Sequence, residues 1–130
     1  MVVVDASCLA EVVAETSRAH LISRRLEAEG DLLAPSVIDV EVLGMIRRRH
    51  LAGALDLTAA TLAVHSLRNW PGERFHHRAF LDRAWELRAS VRGWDAMYVA
   101  LAEVTGSTLL TLDARLAAAT GPTCRIEVVG

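Results

Sequence analysis

Short runs of apolar residues alternate along this chain with longer segments of helical periodicity. We predict strands over residues 2–5, 32–34, 108–112 and 125–129. The expected helices cover about 7–15, 18–29, 36–50, 58–69, 77–90 and 94–104, with a short helix after Asp113. This alternation is typical of a mainly parallel sheet with helices on both faces. We therefore predict an α/β fold, a three-layer sandwich around a short parallel-dominated sheet.

The length and composition indicate one domain. The chain has 130 residues, of which 52% are hydrophobic, enough for one core and too few for a second domain. Asp5 interrupts the apolar opening run, and no segment is long enough for a signal-peptide core or a spanning helix. We expect a single domain over residues 1–130, located in the cytoplasm. Cys8 in the first helix and Cys124 at the last strand lack CxxC spacing and are expected to be packing thiols.

Charge is distributed unevenly along the chain. Residues 1–41 carry a net −5, residues 42–92 a net +5, and the remainder −2. All 14 basic residues are arginines, a bias that a GC-rich genome would explain. The absence of lysine excludes mechanisms that need a catalytic or phosphate-binding lysine. It argues against P-loop NTPases, receiver domains and haloacid-dehalogenase-like phosphatases.

Three aspartates lie at predicted strand ends or helix starts. Asp5 directly follows the first strand in VVVDAS, and Asp113 directly follows the strand in STLLTLDARL. Asp95 in WDAMYVALAE begins a helix that is apolar nearly all round and therefore buried. Ligands of open α/β sheets bind at the carboxyl ends of the strands, where the strand order reverses. These aspartates are expected at that edge, although each taken singly is also a plausible helix N-cap.

A fourth acid, Glu41, is predicted on the apolar face of a helix. In APSVIDVEVL it shares a helical stripe with Val37, Ile38 and Met45, whereas Asp39 falls on the opposite, solvated side. An unpartnered carboxylate on a core-facing stripe is costly, so its presence needs a reason. The structural alternative is an ion pair with Arg48.

Four carboxylates gathered at one sheet edge repel one another and require a cation between them. Oxygen-only ligands select hard divalent ions such as Mg²⁺ or Mn²⁺, which bridge to substrate phosphates. A bound cation lowers the pKa of water and stabilises the pentavalent transition state. The acids therefore predict metal-dependent phosphoryl chemistry, with Asp5, Glu41, Asp95 and Asp113 as the metal-binding catalytic set.

The order and spacing of these acids resemble the PIN-domain family, and specifically its VapC-type toxins. The resemblance rests on the opening strand ending in Asp-Ala-Ser, the helical Glu, the Trp-Asp-Ala-x-Tyr-x-Ala-Leu-Ala helix and Thr-x-Asp after a late strand. It implies a metal-dependent endoribonuclease that forms dimers and is inhibited by a small VapB-type antitoxin. It also implies that Asp5 and Asp95 are the direct metal ligands, and that the hydroxyls of Ser7 and Thr111 support the site.

Several features remain open between structural and functional interpretations. The alternative is a non-catalytic helical interaction module in which the acids are only caps and bridges, and measured metal binding would distinguish the two. Leu55, Leu57, Leu62, Val64 and Leu67 exceed what one helix face needs and predict either core or a dimer surface. Two arginine groups are either solvated helix faces or contacts for RNA phosphates, namely Arg47–Arg49 and the group of Arg68, Arg74, Arg78, Arg83, Arg88 and Arg92. The five histidines show no zinc-binding spacing and receive no role.

Overall fold

The centre of the molecule is a five-stranded parallel sheet, seen in a computed structural model that describes residues 1–130. Its strands are β1 (Val2–Val4), β2 (Leu32–Pro35), β3 (Glu73–Phe75), β4 (Thr108–Thr111) and β5 (Ile126–Val128). They lie in the order β3-β2-β1-β4-β5, and every neighbouring pair is parallel. The side chains of β1 are at most 1% exposed, because a central parallel strand is covered on both faces.

Helices cover both faces of this sheet. They are α1 (Ala6–Val13), α2 (Ala19–Glu27), α3 (Val37–Leu51), α4 (Leu57–Arg68), α5 (Leu81–Glu86), α6 (Gly93–Thr105) and α7 (Ala114–Ala118), with a 3₁₀ turn at Arg78–Phe80. The first helix packs against α2, α3 and α4, while α6 lies against β1, β2 and β4 with α5 packed on it. From β1 the chain adds β2 and β3 on one side, and it then crosses through α5 and α6 to add β4 on the other side. Because such crossovers are right-handed, the helices that precede β3 and those that follow it cover opposite faces of the sheet. The predicted three-layer α/β sandwich is confirmed.

The sequence predicted some helix boundaries correctly and others incorrectly. Gly106 ends α6 in the left-handed conformation at φ +65°, as its position after the apolar run predicted. The predicted helix over residues 77–90 is wrong: it is divided into the 3₁₀ turn, α5 and a following turn that brings both Leu87 and Val91 into the core. The N-cap of α4 is Asp56, whose side chain accepts from the Ala59 amide at 2.8 Å, and not Thr58. Strand β3 was not predicted.

The remaining structural predictions concern cysteines, membrane spans and surplus apolar residues. Cys8 is buried in α1 and Cys124, just before β5, is partly buried, and neither is paired. None of the helices combines the length and apolarity needed to cross a bilayer. Leu67 is buried and Leu55 and Val64 pack against the core. Leu57 and Leu62 are exposed on α4 and remain available to a partner.

Candidate active site

The strand order reverses between β1 and β4, so their carboxyl ends form the crevice where open α/β sheets bind ligands. Asp5 follows β1 directly, Asp113 lies two residues beyond β4, and Asp95 stands in the first turn of α6. Asp95 and Asp113 line one cleft of about 220 Å³. The negative charge of Asp5 raises the pKa of both Glu41 and Asp95, and that of Asp113 raises the pKa of Asp95. The four acids are thus one electrostatic cluster.

Asp5 is the most enclosed of the four, at 5% exposed. It occupies the N-cap position of α1 without a well-formed cap hydrogen bond, and the nearby Ala6 and Ser7 amides still favour its charged form. Instead, the hydroxyls of Ser7 and Thr111 both donate to Oδ2 at 2.7 Å. Burial raises the pKa of Asp5, and the two hydroxyl donors partly offset that rise. Capping alone does not account for Asp5, because its two side-chain hydrogen bonds come from hydroxyls and both reach Oδ2.

Ser7 and Thr111 join the ends of two strands at this edge. The Ser7 hydroxyl also accepts from the Leu112 amide at 3.1 Å, and the Thr111 hydroxyl accepts from the Asp113 amide at 3.0 Å. Each hydroxyl therefore contacts Asp5 on one side and the backbone after β4 on the other. Ser7 lies inside α1 and is not its N-cap. The two side chains fix where the Asp5 carboxylate stands relative to β4.

Glu41 lies on α3 and meets α6 through a tyrosine. The hydroxyl of Tyr98, itself fully buried, donates to Glu41 Oε1 at 2.8 Å. Burial, opposed by this bond and reinforced by the charges of Asp5 and Asp95, raises the pKa of Glu41 to about 7. The expected alternative, an ion pair with Arg48, does not form. Tyr98 received no role from the sequence, although its place one turn beyond Asp95 in a buried helix was a usable signal.

Asp113 caps a helix, whereas Asp95 does not. Asp95 caps nothing, since α6 begins after Arg92. Burial raises the pKa of Asp95, which Asp5 raises further and Arg92 opposes. Asp113 is the N-cap of α7, and its Oδ1 accepts from the Arg115 amide at 2.9 Å. Capping is therefore correct for Asp113, with Oδ2 free of that bond.

The donor chemistry of this cluster fits a hard divalent cation. Every functional atom at the edge is a carboxylate or hydroxyl oxygen, and the acids repel one another without a cation. No three of them approach closely enough to enclose an ion from all sides. Magnesium commonly keeps several waters and uses only one or two carboxylates, so this open arrangement suits it.

The structure divides the arginines into structural and free groups. Arg74 pairs with Asp39 at 2.9 Å and donates to the Leu67 carbonyl at the end of α4, so Asp39 is not simply solvated. Arg83 pairs with Glu103 at 3.0 Å. Arg49 pairs with Glu11 in the same way. By contrast, Arg92 is in no ion pair and lines the cleft beside Asp95. Arg115, which sequence reasoning did not single out, lines the same cleft and lies 3.7 Å from Asp113 Oδ1.

A parallel sheet with clustered acids at its switch point places the protein among α/β folds whose carboxylates can serve phosphoryl chemistry with a divalent cation. The sequence profile of the PIN domain matches residues 2–122. Ribonuclease VapC3 of Mycobacterium tuberculosis is 42% identical over 119 residues, covering 91% of this chain and 86% of that protein. Ribonuclease VapC12 of the same organism is 36% identical over 129 residues, with 99% of each chain covered. The chain therefore belongs to the PIN-domain family, among its VapC ribonucleases.

Two solved structures share the fold. The crystal structure of PAE2754 from Pyrobaculum aerophilum superposes with a TM-score of 0.70 at 22% identity, covering 97% of this chain and 82% of that one. Mycobacterium tuberculosis VapC20, described as a toxin that cleaves the sarcin-ricin loop, gives a TM-score of 0.67 at 20% identity, covering 91% and 94%. These two structures support the fold, and the PIN-domain match and the VapC ribonuclease relatives favour a ribonuclease over the phosphatase and the non-catalytic module.

Proposed function

We propose that this chain is an endoribonuclease toxin that cleaves RNA phosphodiester bonds with Mg²⁺ or Mn²⁺ bound at the cluster of Asp5, Glu41, Asp95 and Asp113. The observation that carries the assignment is Asp5, a buried carboxylate at the switch point whose Oδ2 is oriented by two hydroxyls. Such a group is costly unless it binds a cation.

Each acid has a distinct part in the proposed mechanism. Asp5 and Asp95 are the direct metal ligands, and Ser7 and Thr111 hold Asp5 in place. When bound, the cation neutralises phosphate charge and lowers the pKa of water. Glu41 leaves Oε2 free of Tyr98 and stands beside Asp5 and Asp95, so its carboxylate can take a proton from the attacking water.

The substrate is held by charge at the rim. Arg92 and Arg115 lie beside Asp95 in the cleft, and both lower its pKa, which places them within electrostatic reach of any phosphate bound there. Phosphate contacts of this kind supply affinity without sequence preference. Asp113, through its free Oδ2, completes the acidic lining.

The sharpest test replaces Asp5 and compares a matched aspartate. Asp5→Asn keeps the shape of the side chain and removes its charge, so it should abolish cleavage of total RNA in Mn²⁺ while the protein stays folded. Asp39→Asn alters an aspartate that is paired with Arg74 and is not one of the four acids. This control variant should retain cleavage. Full activity of Asp5→Asn would reject the assignment.

The proposed partners are a VapB-type antitoxin and a second copy of the chain. Exposed Leu57 and Leu62 on α4 offer apolar area for a homodimer. Expression of the chain alone should stop growth, and co-expression of the antitoxin should restore it. Normal growth with abundant soluble protein would contradict the toxin role.

A further inference from the structure

A second groove adjoins the acidic cleft and contains none of the four acids. It has a volume of about 490 Å³ and lies between α5 and the start of α6. Two indoles line it, Trp85 at 68% and Trp94 at 66% exposed. Arg88 and Arg92 also line it, and no acidic residue does. We call this surface the tryptophan groove.

The periodicity of α5 explains why the groove is free of acids. Leu81, Trp85 and Arg88 follow one another at helical spacing and all line it. The acids of this segment point elsewhere: Glu86 and Glu103 both receive bonds from Arg83, at 3.1 and 3.0 Å. Arg88 therefore has no carboxylate partner among the residues that line the groove, whereas Arg92 also faces Asp95 in the adjoining cleft.

One indole is already arranged next to positive charge. The Arg88 guanidinium lies 4.4 Å from the centroid of the Trp85 ring and donates to the Trp85 carbonyl at 2.9 Å. A cation over an aromatic face is favourable and holds both groups in place. An anion that approaches Trp85 thus meets a positioned arginine.

The groove is continuous with the acidic cleft. Val91 and Arg92 line both depressions, and Trp94 directly precedes Asp95 in α6. A ligand that binds along the groove therefore leads to the acids. Exposed aromatic area of this size on a small protein marks a binding surface.

The chemistry of the walls selects among possible occupants. A second copy of the chain or an apolar peptide would cover the tryptophans but bury two arginines that have no acidic partner in the groove. Single-stranded nucleic acid supplies both flat aromatic bases and phosphates, which are the ligands of indoles interleaved with arginines.

We propose that the tryptophan groove binds the RNA substrate beside the cleaved bond, with bases stacked on Trp85 and Trp94 and phosphates on Arg88 and Arg92. This rests on the proposed function. The groove would then position single-stranded RNA on the acids and contribute to the choice of cleavage site.

The test compares a base-bearing RNA with one that has none. A short fluorescein-labelled oligouridylate and an abasic oligonucleotide of equal length and charge are titrated in chelator, so that no cleavage occurs. Trp85→Ala and Trp94→Ala should each weaken oligouridylate binding by about 5- to 100-fold and leave abasic binding nearly unchanged. Trp85→Phe should recover part of the loss, and Leu51→Ala, at an exposed apolar residue at the end of α3, should bind like wild type.

Other outcomes overturn the proposal. Equal loss for both oligonucleotides in the alanine variants would mean that charge, and not stacking, governs the surface. Unchanged RNA binding with a smaller assembly by light scattering would make the groove a protein interface. Wild-type cleavage in Mn²⁺, measured in parallel, separates the two hypotheses: base-dependent binding without cleavage would reject the nuclease assignment and keep the groove.

Discussion

Replacing Glu41 with Gln should stabilise the metal-free protein above neutral pH and reduce the pH dependence of its melting temperature. Burial raises the pKa of Glu41 from its usual 4.5 to about 7. Because the folded-state pKa is the higher one, the folded protein binds more protons than the unfolded chain in this range. Stability contributed by protonated Glu41 is therefore fully present below about pH 4.5 and is lost as pH rises through about 7.

The size of the effect follows from the shift and the exposure of the group. Each pKa unit corresponds to about 1.4 kcal/mol, which gives about 3 kcal/mol for the whole shift. Glu41 is only half-buried, so solvent screening reduces this to about 1–2 kcal/mol. For a domain of this size that is about 3–8 °C in melting temperature. Gln stays neutral at every pH and its amide oxygen can still accept from Tyr98.

The assay is thermal melting in chelator between about pH 5 and pH 8. Wild type and Glu41→Gln should melt at similar temperatures at the acidic end, and the variant should melt higher at the basic end. Glu73→Gln, at an exposed carboxylate on β3, serves as the control and should follow wild type. A variant that melts lower than wild type at pH 8, or parallels it throughout, would refute the electrostatic cost assigned to Glu41.

Two further substitutions test the surroundings of the acids. Ser7→Ala and Thr111→Val each remove a 2.7 Å hydrogen bond to Asp5 Oδ2, so each should weaken Mn²⁺ binding by about 10- to 100-fold in calorimetry; unchanged affinity in both would contradict their positioning role. Arg92→Gln should lower the salt slope of RNA binding by about 1, whereas Arg83→Gln should leave that slope unaltered and reduce thermal stability, because Arg83 is paired with Glu103. A lower salt slope in Arg83→Gln with an unaltered slope in Arg92→Gln would instead place the RNA on the side of α5 that carries Arg83.

The parts of the fold predicted correctly are those with a strong local pattern. The valines of β1 predict a strand buried on both faces, and Gly106 marks the end of α6. Strand β3 has no such pattern, since Glu73 and Arg74 are charged; it becomes a strand only by pairing with β2. The segment over residues 77–90 is helical in periodicity, but burial of Leu87 and Val91 requires the chain to turn there.

The acidic edge was predictable because strand ends converge there in any parallel sheet. Asp5 and Asp113 needed only the strand assignments, and Glu41 only its apolar stripe. The hydroxyl bonds of Ser7 and Thr111 to Asp5 depend on two strands meeting, which a linear pattern does not contain.

The arginine pairs were not predictable for the same physical reason. Arg74 meets Asp39 across 35 residues and Arg83 meets Glu103 across 20, through contacts fixed only by the folded chain. A count of basic residues by segment therefore overstated the surface available to RNA. Arg92, which is in no ion pair, does lie beside the cleft.

The most direct test of the central claim is the position of a bound Mn²⁺ ion. Crystals of the protein soaked in Mn²⁺ should give an anomalous peak at the carboxyl ends of β1 and β4, with oxygens of Asp5 and Asp95 about 2.0–2.6 Å away. Asp95→Asn crystals treated identically should lose it. A peak elsewhere, or one that persists at this edge in Asp95→Asn, would contradict the assignment of these acids as the metal site.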